Sequence, residues 1–168
     1  AEDKWLVSRL QTTIKQVRDH IENFTLNEAG KCVQQFLIED LSRTYVQLVR
    51  ERMESDDTPG ELLGYSLWTI ATLTAAITPF QSEFTHEELK SLVKETVEES
   101  VHLELLPEPN SELINIELEE SMILAGDVIA VILAARDKAS IGVRWPLQEA
   151  IIDSEEELVV HAVNTLSP

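Results

Sequence analysis

Apolar side chains recur every three or four residues near the start of this chain, and this period restricts the fold more than any other feature. The positions that share one helical face are Leu6, Leu10, Ile14, Val17 and Ile21. The spacing predicts an amphipathic helix over residues 3–23, with Asp3 as a candidate N-cap. Because such a helix must bury its apolar face against another element, the sequence predicts a helical bundle.

The same period predicts three further long helices. They cover residues 27–53, 61–78 and 111–139, with Asn27 and Ser111 as candidate N-caps. The third helix is apolar on more than one face, which is typical of the most buried member of a bundle. A short helix over 86–96 and an extended, proline-containing connection over 105–110 are predicted between the third and fourth long helices. Residues 1–141 should therefore form one mainly α domain, an antiparallel helix bundle.

The pattern changes after Ile141. Residues 143–152 are rich in β-branched and aromatic side chains and predict an edge strand, and residues 154–157 (SEEE) are typical of a helix start. We expect residues 142–168 to be the start of an α+β domain that is truncated here, since one strand and one helix cannot make a stable sheet domain. The chain also lacks an initial methionine, so we expect it to be part of a longer protein.

Composition excludes several classes of protein. Apolar residues make up 43% of the 168-residue chain, which suffices for a core, and Cys32 is the single cysteine, so no internal disulfide can form. A lone thiol fits a reducing cytoplasm. No apolar run approaches the roughly 20 residues of a membrane span. The four histidines are scattered and no glycine-rich phosphate loop or nucleophile motif is present, so we expect no catalytic residue, metal site or cofactor in this chain.

The net charge of −18 is unevenly distributed. Residues 1–53 contain eight acidic and eight basic residues, whereas the other 23 acidic residues face only five basic ones. A surface that attracts phosphate can therefore persist on the first two helices and around residues 136–144. The acidic excess elsewhere is typical of a solubilising surface, and a role in repelling wrong partners is the alternative.

Two clusters of cations and aromatic residues are candidate RNA-binding sites, since unstacked bases are held on aromatic or guanidinium planes while cations bind phosphates. The first, on the second helix, comprises Lys31, Arg43, Tyr45, Arg50 and Arg52. The second, after the fourth helix, comprises Arg136, Lys138, Arg144 and Trp145.

Each cluster also has a structural interpretation. Arg43 can pair with Glu39 or Asp40 within its helix, and Arg136 and Lys138 can stabilise the helix dipole. Trp145 can belong to the core.

Six short motifs along the chain resemble, in order and spacing, the anticodon-binding region of isoleucyl-tRNA synthetases, which are class I enzymes. They are residues 3–10 (DKWLVSRL), 38–43 (IEDLSR), 77–80 (ITPF), 99–103 (ESVHL), 134–138 (AARDK) and 143–147 (VRWPL). The resemblance implies an anticodon-binding bundle whose partners are the tRNA(Ile) anticodon stem-loop and the other domains of the same enzyme. It implies that ATP and Mg serve the parent ligase, while this fragment alone is not catalytic.

Two positions depart from the family pattern: Thr44 replaces a usual aromatic residue, and Gly142 a frequent lysine. Two alternatives also stay open. The valyl and leucyl enzymes share the bundle layout, although the 143–147 motif favours the isoleucyl enzyme. A helical protein-interaction module, binding a basic partner through its acidic faces, belongs to a different functional class. Neither membrane nor DNA is an expected partner.

Overall fold

The structure, a computed structural model, describes residues 1–91, 97–149 and 151, and within them it is helical without strands. The helices are α1 (Glu2–Glu22), α2 (α-helical Leu26–Gln35, π-helical Phe36–Tyr45 and α-helical Val46–Val49), α3 (Thr58–Thr74), α4 (Pro79–Leu89) and α5 (Ile116–Lys138). Single 3₁₀ turns lie at Arg52–Glu54, Val101–Leu103 and Ser111–Leu113. The predicted mainly α fold is confirmed.

Backbone contacts divide the chain into two compact units. Residues 2–114, with α1 to α4, form the first, and α5 with the described residues after it belongs to the second. The sequence-based boundary near Ile141 stays a prediction, because most of residues 142–168 lie outside the described part of the chain.

Helices α1 and α2 of the first unit form an antiparallel pair. The start of α1 contacts the end of α2, since the Tyr45 hydroxyl donates a hydrogen bond to Asp3, and Arg9 binds Asp40 one α2 turn earlier. The predicted apolar face of α1 is buried except for Ile21, which is half-buried. The core side chains of this pair include Leu6, Leu10, Ile14, Val17, Val33, Phe36, Leu41, Tyr45 and Val49. Burying an aliphatic side chain of this size contributes about 1.5–3 kcal/mol.

Buried threonine side chains of α3 form hydrogen bonds with the backbone of the same helix. Thr69, Thr72 and Thr74 are buried. Their hydroxyls donate to the carbonyl oxygens four residues earlier, at 2.8, 3.1 and 2.7 Å. A buried hydroxyl without a partner would cost about 1–3 kcal/mol, so these bonds allow α3 to lie in the core.

Several predicted helix ends were wrong. Helix α4 begins at Pro79 rather than at residue 86, because proline is well suited to the first helical turn, where no backbone donor is needed. Residues 92–96, the end of the predicted short helix, lie outside the described part. Helix α5 begins at Ile116, where the Asn115 side chain accepts from the Leu118 N–H at 3.0 Å; Ser111 instead starts a 3₁₀ turn.

The two remaining N-cap predictions also fail. Asp3 lies within the first turn of α1 rather than before it. Asn27 lies within α2, which begins at Leu26. In contrast, residues 105–110 are free of helix and strand, as predicted.

The predicted edge strand over residues 143–152 is wrong for its described part. Residues 143–149 form turns and irregular backbone, and the Trp145 N–H donates to the Gly142 carbonyl at 3.0 Å. The carbonyls that a ladder would need are bound by the Arg136 side chain instead. The predicted helix start at residues 154–157 lies outside the described residues.

None of the helices in the described ranges combines the length and the hydropathy that crossing a membrane requires.

Candidate nucleic-acid interface

The first candidate surface is built on the middle of α2, where the helix widens. Residues Phe36–Tyr45 are π-helical, and the Val46 N–H donates to the Leu41 carbonyl five residues earlier. π-Helical segments are rare and occur often at functional sites. This one contains the whole 38–43 motif.

An ion pair joins this π-helical segment to α1. Both Nε and Nη2 of Arg9 donate to Asp40 Oδ2 at 3.0 Å. The two side chains are only 18% and 15% exposed, so water screens their attraction weakly. The pair connects α2 to α1, whereas Arg43, on the outside of α2, binds Glu39.

Three cations along α2 and directly after its end are exposed. Arg43 pairs with Glu39 at 2.7 Å and Lys31 with Glu28 at 2.8 Å, the intrahelical pairing expected of such residues. Arg50 is exposed and has no ion-pair partner among the described residues. We call Lys31, Arg43 and Arg50 the α2 basic face. Exposed ion pairs contribute little to stability, so these cations can turn to a phosphate at small cost.

Tyr45 and Arg52 do not belong to that face. Tyr45 is 0% exposed, and its hydroxyl donates to Asp3 Oδ1 at 2.7 Å. Burial, together with the Asp3 carboxylate, raises the pKa of Tyr45 well above its ordinary value. The prediction that Tyr45 offers a stacking surface does not fit this placement, since a base cannot reach a ring inside the core.

Arg52 lies among acidic side chains where the start of α1 meets the end of α2. It forms an ion pair with Asp3 and further ion pairs with Glu2 at 3.6 Å and Asp56 at 3.4 Å. The hydrogen bond to Asp3 raises the pKa of the Arg52 guanidinium. We call Asp3, Tyr45 and Arg52 the terminal clamp. Arg52, predicted as an RNA-binding cation, is engaged in holding α1 to α2.

The second candidate surface follows α5. Arg136, in the last turn of that helix, donates from Nη2 to the carbonyl oxygens of Gly142, Val143 and Trp145 at 2.6, 3.1 and 2.6 Å. We call residues 142–145 the Trp145 turn. Arg136, predicted as an RNA-binding cation, thus binds backbone carbonyls within its own unit.

The side chains around this turn face solvent. Trp145 is 71% exposed, which contradicts the interpretation that it belongs to the core. Lys138 and Arg144 are exposed and have no ion-pair partner within the described residues. An exposed indole with exposed cations near it in sequence has the composition of a base-stacking surface.

An uncharged groove in the first unit is a poor phosphate site. It has a volume of about 550 Å³, lies between α2, α3 and α4, and has no charged residue among those that line it. Apolar side chains such as Leu37 and Ile70 form its walls, and the hydroxyls of Thr74, Thr78 and Ser82 lie at one side. Because phosphate binding depends on cations, the groove does not extend the RNA-binding surface.

Sequence reasoning missed the residues that hold the two surfaces in place. Asp3 was expected to be an N-cap, and neither Arg9 nor Asp40 was expected to connect two helices, because contacts 31 to 49 residues apart leave no local signal. The Arg136 contacts do have a local signal. Gly142 and Pro146 mark a turn a few residues after Arg136, within reach of a long side chain.

Among the described residues, no group of three or more histidine, cysteine and carboxylate side chains is placed to hold a metal ion.

Comparison with known proteins identifies the family of this chain. A family model described as the anticodon-binding domain of tRNA ligase matches residues 3–151. The chain belongs to that family. The anticodon-binding domain thus includes the bundle, α5 and the Trp145 turn.

Curated relatives of this anticodon-binding domain include several proteins that share one enzyme name. Isoleucine–tRNA ligase from Pyrococcus furiosus is 36% identical over 170 residues, which cover 99% of this chain and 16% of that protein. The proteins of the same name from Methanocella arvoryzae and Methanosarcina acetivorans are 36% and 34% identical, over 99% and 98% of this chain. The chain spans about a sixth of the length of these relatives.

Proposed function

We propose that this anticodon-binding domain recognises the anticodon stem-loop of tRNA(Ile) as part of an isoleucine–tRNA ligase. The observation that carries the proposal is the solvent-exposed Trp145, which directly follows the exposed cation Arg144 in sequence and comes a few residues after the exposed cation Lys138. The names of the relatives support the choice of isoleucine. They favour it over the valyl and leucyl enzymes.

The exposed indole would stack on an unpaired base. Single-stranded loops are recognised largely by stacking on aromatic side chains, which contributes about 1–3 kcal/mol per base. Lys138 and Arg144 would bind the flanking phosphates and fix the loop in register. These three side chains are the proposed contacts in the second unit.

The α2 basic face would bind phosphates through the first unit. Lys31, Arg43 and Arg50 are exposed, and the two ion pairs that engage Lys31 and Arg43 are surface pairs that a phosphate can replace. Tyr45, Arg52 and Arg136 are proposed to support the two surfaces rather than to contact RNA.

The longer enzyme would join isoleucine to tRNA with ATP and Mg supplied to domains outside this chain. This chain would contribute recognition only and no catalytic residue. We further propose that residues 142–168 open a following domain, and that the protein works in the reducing cytoplasm that a lone cysteine fits.

The proposal is tested by measuring the affinity of the 168-residue chain for anticodon stem-loops of isoleucine, valine and leucine tRNAs and of an unrelated tRNA. The isoleucine loop should bind most tightly. The logarithm of its affinity should fall with the logarithm of salt concentration by about 0.7 per phosphate contact. Tighter binding of the valine or leucine loop would assign the chain to that enzyme.

Charge reversal identifies the contacts. Arg50→Glu, Lys138→Glu and Arg144→Glu should each weaken binding and lower the salt slope by about one contact. Trp145→Ala should weaken binding about five- to 150-fold at an unchanged slope, since the indole carries no charge. Lys15→Glu is the matched control, because Lys15 is an exposed cation on α1 outside both surfaces.

The protein-interaction alternative makes the opposite prediction. It requires that all loops bind alike or not at all, and that a basic peptide binds and loses affinity when acidic residues are neutralised. That result would contradict recognition of the anticodon.

A further inference from the structure

Three hydrogen bonds engage the Arg136 side chain. Its Nη2 lies 2.6 Å from the carbonyl oxygens of both Gly142 and Trp145 and 3.1 Å from that of Val143. Its Nε is buried. The guanidinium therefore points toward the backbone of the turn. Its Nη2 donors are used in these hydrogen bonds and are not available to a phosphate.

Within the described part of the chain, few other contacts hold the turn that Arg136 binds. One backbone hydrogen bond there, from the Trp145 N–H to the Gly142 carbonyl, closes it at 3.0 Å. The indole lies close to Gly142, since a Cβ at that position would be 3.7 Å from Trp145 Cδ1. The ring is 71% exposed, so little packing of its own keeps it in one orientation.

We infer that Arg136 is a positioning residue for RNA recognition: it fixes the carbonyls of the Trp145 turn and so holds the exposed indole ready to stack. The inference rests on the proposed function, because the ring it holds is the proposed stacking surface. Holding the ring before binding would lower the ordering cost of association.

Lysine at this position separates the possible roles of Arg136. A lysine keeps the positive charge for a phosphate contact and for the helix dipole. All three contacts come from Nη2, and a lysine ammonium group ends one bond closer to the backbone than Nη2, so it cannot reach the three carbonyl oxygens in the same way. Arg136→Lys should therefore retain function if Arg136 acts only through charge, and lose it if Arg136 positions the turn.

The first experiment needs no RNA. The chain is labelled with 5-fluorotryptophan, and the ¹⁹F resonance of Trp145 is identified with Trp145→Phe. Arg136→Lys should shift or broaden the Trp145 resonance while those of Trp5 and Trp68 keep their wild-type positions, which also shows that the bundle is folded. Lys138→Ala, the matched control, should leave all three unchanged. A wild-type Trp145 signal in Arg136→Lys would overturn the inference.

The second experiment measures affinity for the isoleucine anticodon stem-loop against salt concentration. Arg136→Lys and Arg136→Ala should both weaken binding at least fivefold with the wild-type salt slope, because the turn is lost and no phosphate contact is. Lys138→Ala should lower the slope by about one contact. Wild-type affinity in Arg136→Lys, or a reduced slope in Arg136→Ala, would overturn the inference.

Failure of the proposed function gives a different result. If the wild-type chain does not distinguish the loops, recognition of the isoleucine anticodon is contradicted. A shifted Trp145 resonance in Arg136→Lys would still show that Arg136 holds the turn.

Discussion

Tyr45 is completely buried, and its hydroxyl donates to Asp3 across the α1–α2 pair at 2.7 Å. Tyr45→Phe keeps the ring in the core and removes this donor. We expect the free energy of unfolding to fall by about 1.5–3 kcal/mol, as for other hydrogen bonds to a charged partner. Urea unfolding of the two proteins measures the difference.

The same variant tests how Tyr45 contributes to RNA binding. Its affinity for the anticodon stem-loop should equal that of the wild type, since the ring is inaccessible. Reduced affinity at unchanged stability would show that the ring or its hydroxyl reaches the RNA.

The burial of Tyr45 could have been predicted from its spacing. Leu41, Tyr45 and Val49 follow one another at intervals of four, and all three are buried. The neighbouring arginines suggested a stacking surface instead, because cations beside an aromatic residue are common in RNA-binding proteins. The helical face on which a residue lies was the better evidence.

Glu83 provides a prediction about pH. The Ser100 hydroxyl donates to its Oε2 at 2.8 Å, and the Val101 N–H at 3.0 Å. The Ser100 bond, which outweighs the opposing effect of burial, lowers the pKa of this carboxyl from about 4.5. Because the folded-state pKa is below the unfolded one, ionised Glu83 stabilises the fold above about pH 4.5 and loses this contribution as pH falls through the folded-state value.

Glu83→Gln keeps an acceptor oxygen and removes the charge. The variant should be less stable than the wild type at pH 7, and the difference should shrink toward pH 3. Unfolding by urea at several pH values provides the measurement. Ser82→Ala, a neighbouring change without a titrating group, should give a pH-independent difference, and a Glu83→Gln difference that grows toward low pH would contradict the assignment.

At the scale of elements, the Arg9–Asp40 pair should be a main determinant of how α2 lies on α1. Each single alanine substitution should lower stability by about 1.5–3 kcal/mol, since it leaves a largely buried charge without its strongest partner. The double variant should be more stable than the sum of the single effects predicts. A double-mutant cycle measures the coupling, which we expect to be about 1–2 kcal/mol.

A matched cycle on an exposed pair gives the comparison. Arg43 and Glu39 lie one turn apart on the outside of α2, and their coupling should be about 0.3–0.5 kcal/mol. Equal coupling in the two cycles would show that burial does not strengthen the Arg9–Asp40 pair.

The existence of the helices was predictable, and their ends were not. Apolar periodicity extends over many residues, so a helix such as α1 can be recognised even where single residues depart from the pattern. The end of a helix, in contrast, depends on whether one side chain forms a hydrogen bond with a backbone group. Ser111 and Asn115 are both good caps by type, and Asn115 starts α5 because its side chain accepts from Leu118.

The missed strand has another cause. Residues 143–149 have strand-like composition, but β propensity mostly reflects packing against neighbouring strands. None is available within the described residues, and Arg136 binds the carbonyls. The irregular backbone follows from the contacts, which composition does not reveal.

At the scale of the whole molecule, the net charge of −18 should destabilise the folded chain by self-repulsion. Raising NaCl from about 0.05 to 0.5 M shortens the Debye length from roughly 14 to 4 Å. The relief should be about 1 kcal/mol, which corresponds to a rise of about 3 °C in Tm for a domain of this size. Differential scanning calorimetry at several salt concentrations checks this.

KCl at equal ionic strength should have the same effect, because screening does not depend on the cation. RNA binding should respond in the opposite direction, weakening as salt rises. A falling Tm would show that attractive pairs such as those of Arg52 outweigh the repulsion.

The balance of charge along the chain already indicated where a phosphate could approach. The first 53 residues are neutral overall, and the α2 basic face lies within them. Charge counts do not reveal which of those cations are exposed and which form ion pairs. Arg50 and Arg52 are only two residues apart, yet Arg50 is exposed and Arg52 is paired with Asp3.

The terminal clamp lies at the open end of the α1–α2 hairpin, opposite the turn that connects the two helices. A mechanical load applied to residue 1 would therefore act on Asp3 and Arg52 before it reached the apolar core. Such a load would separate the two helices from this end, breaking their contacts in order toward the connecting turn. The clamp therefore sets the force at which this separation begins.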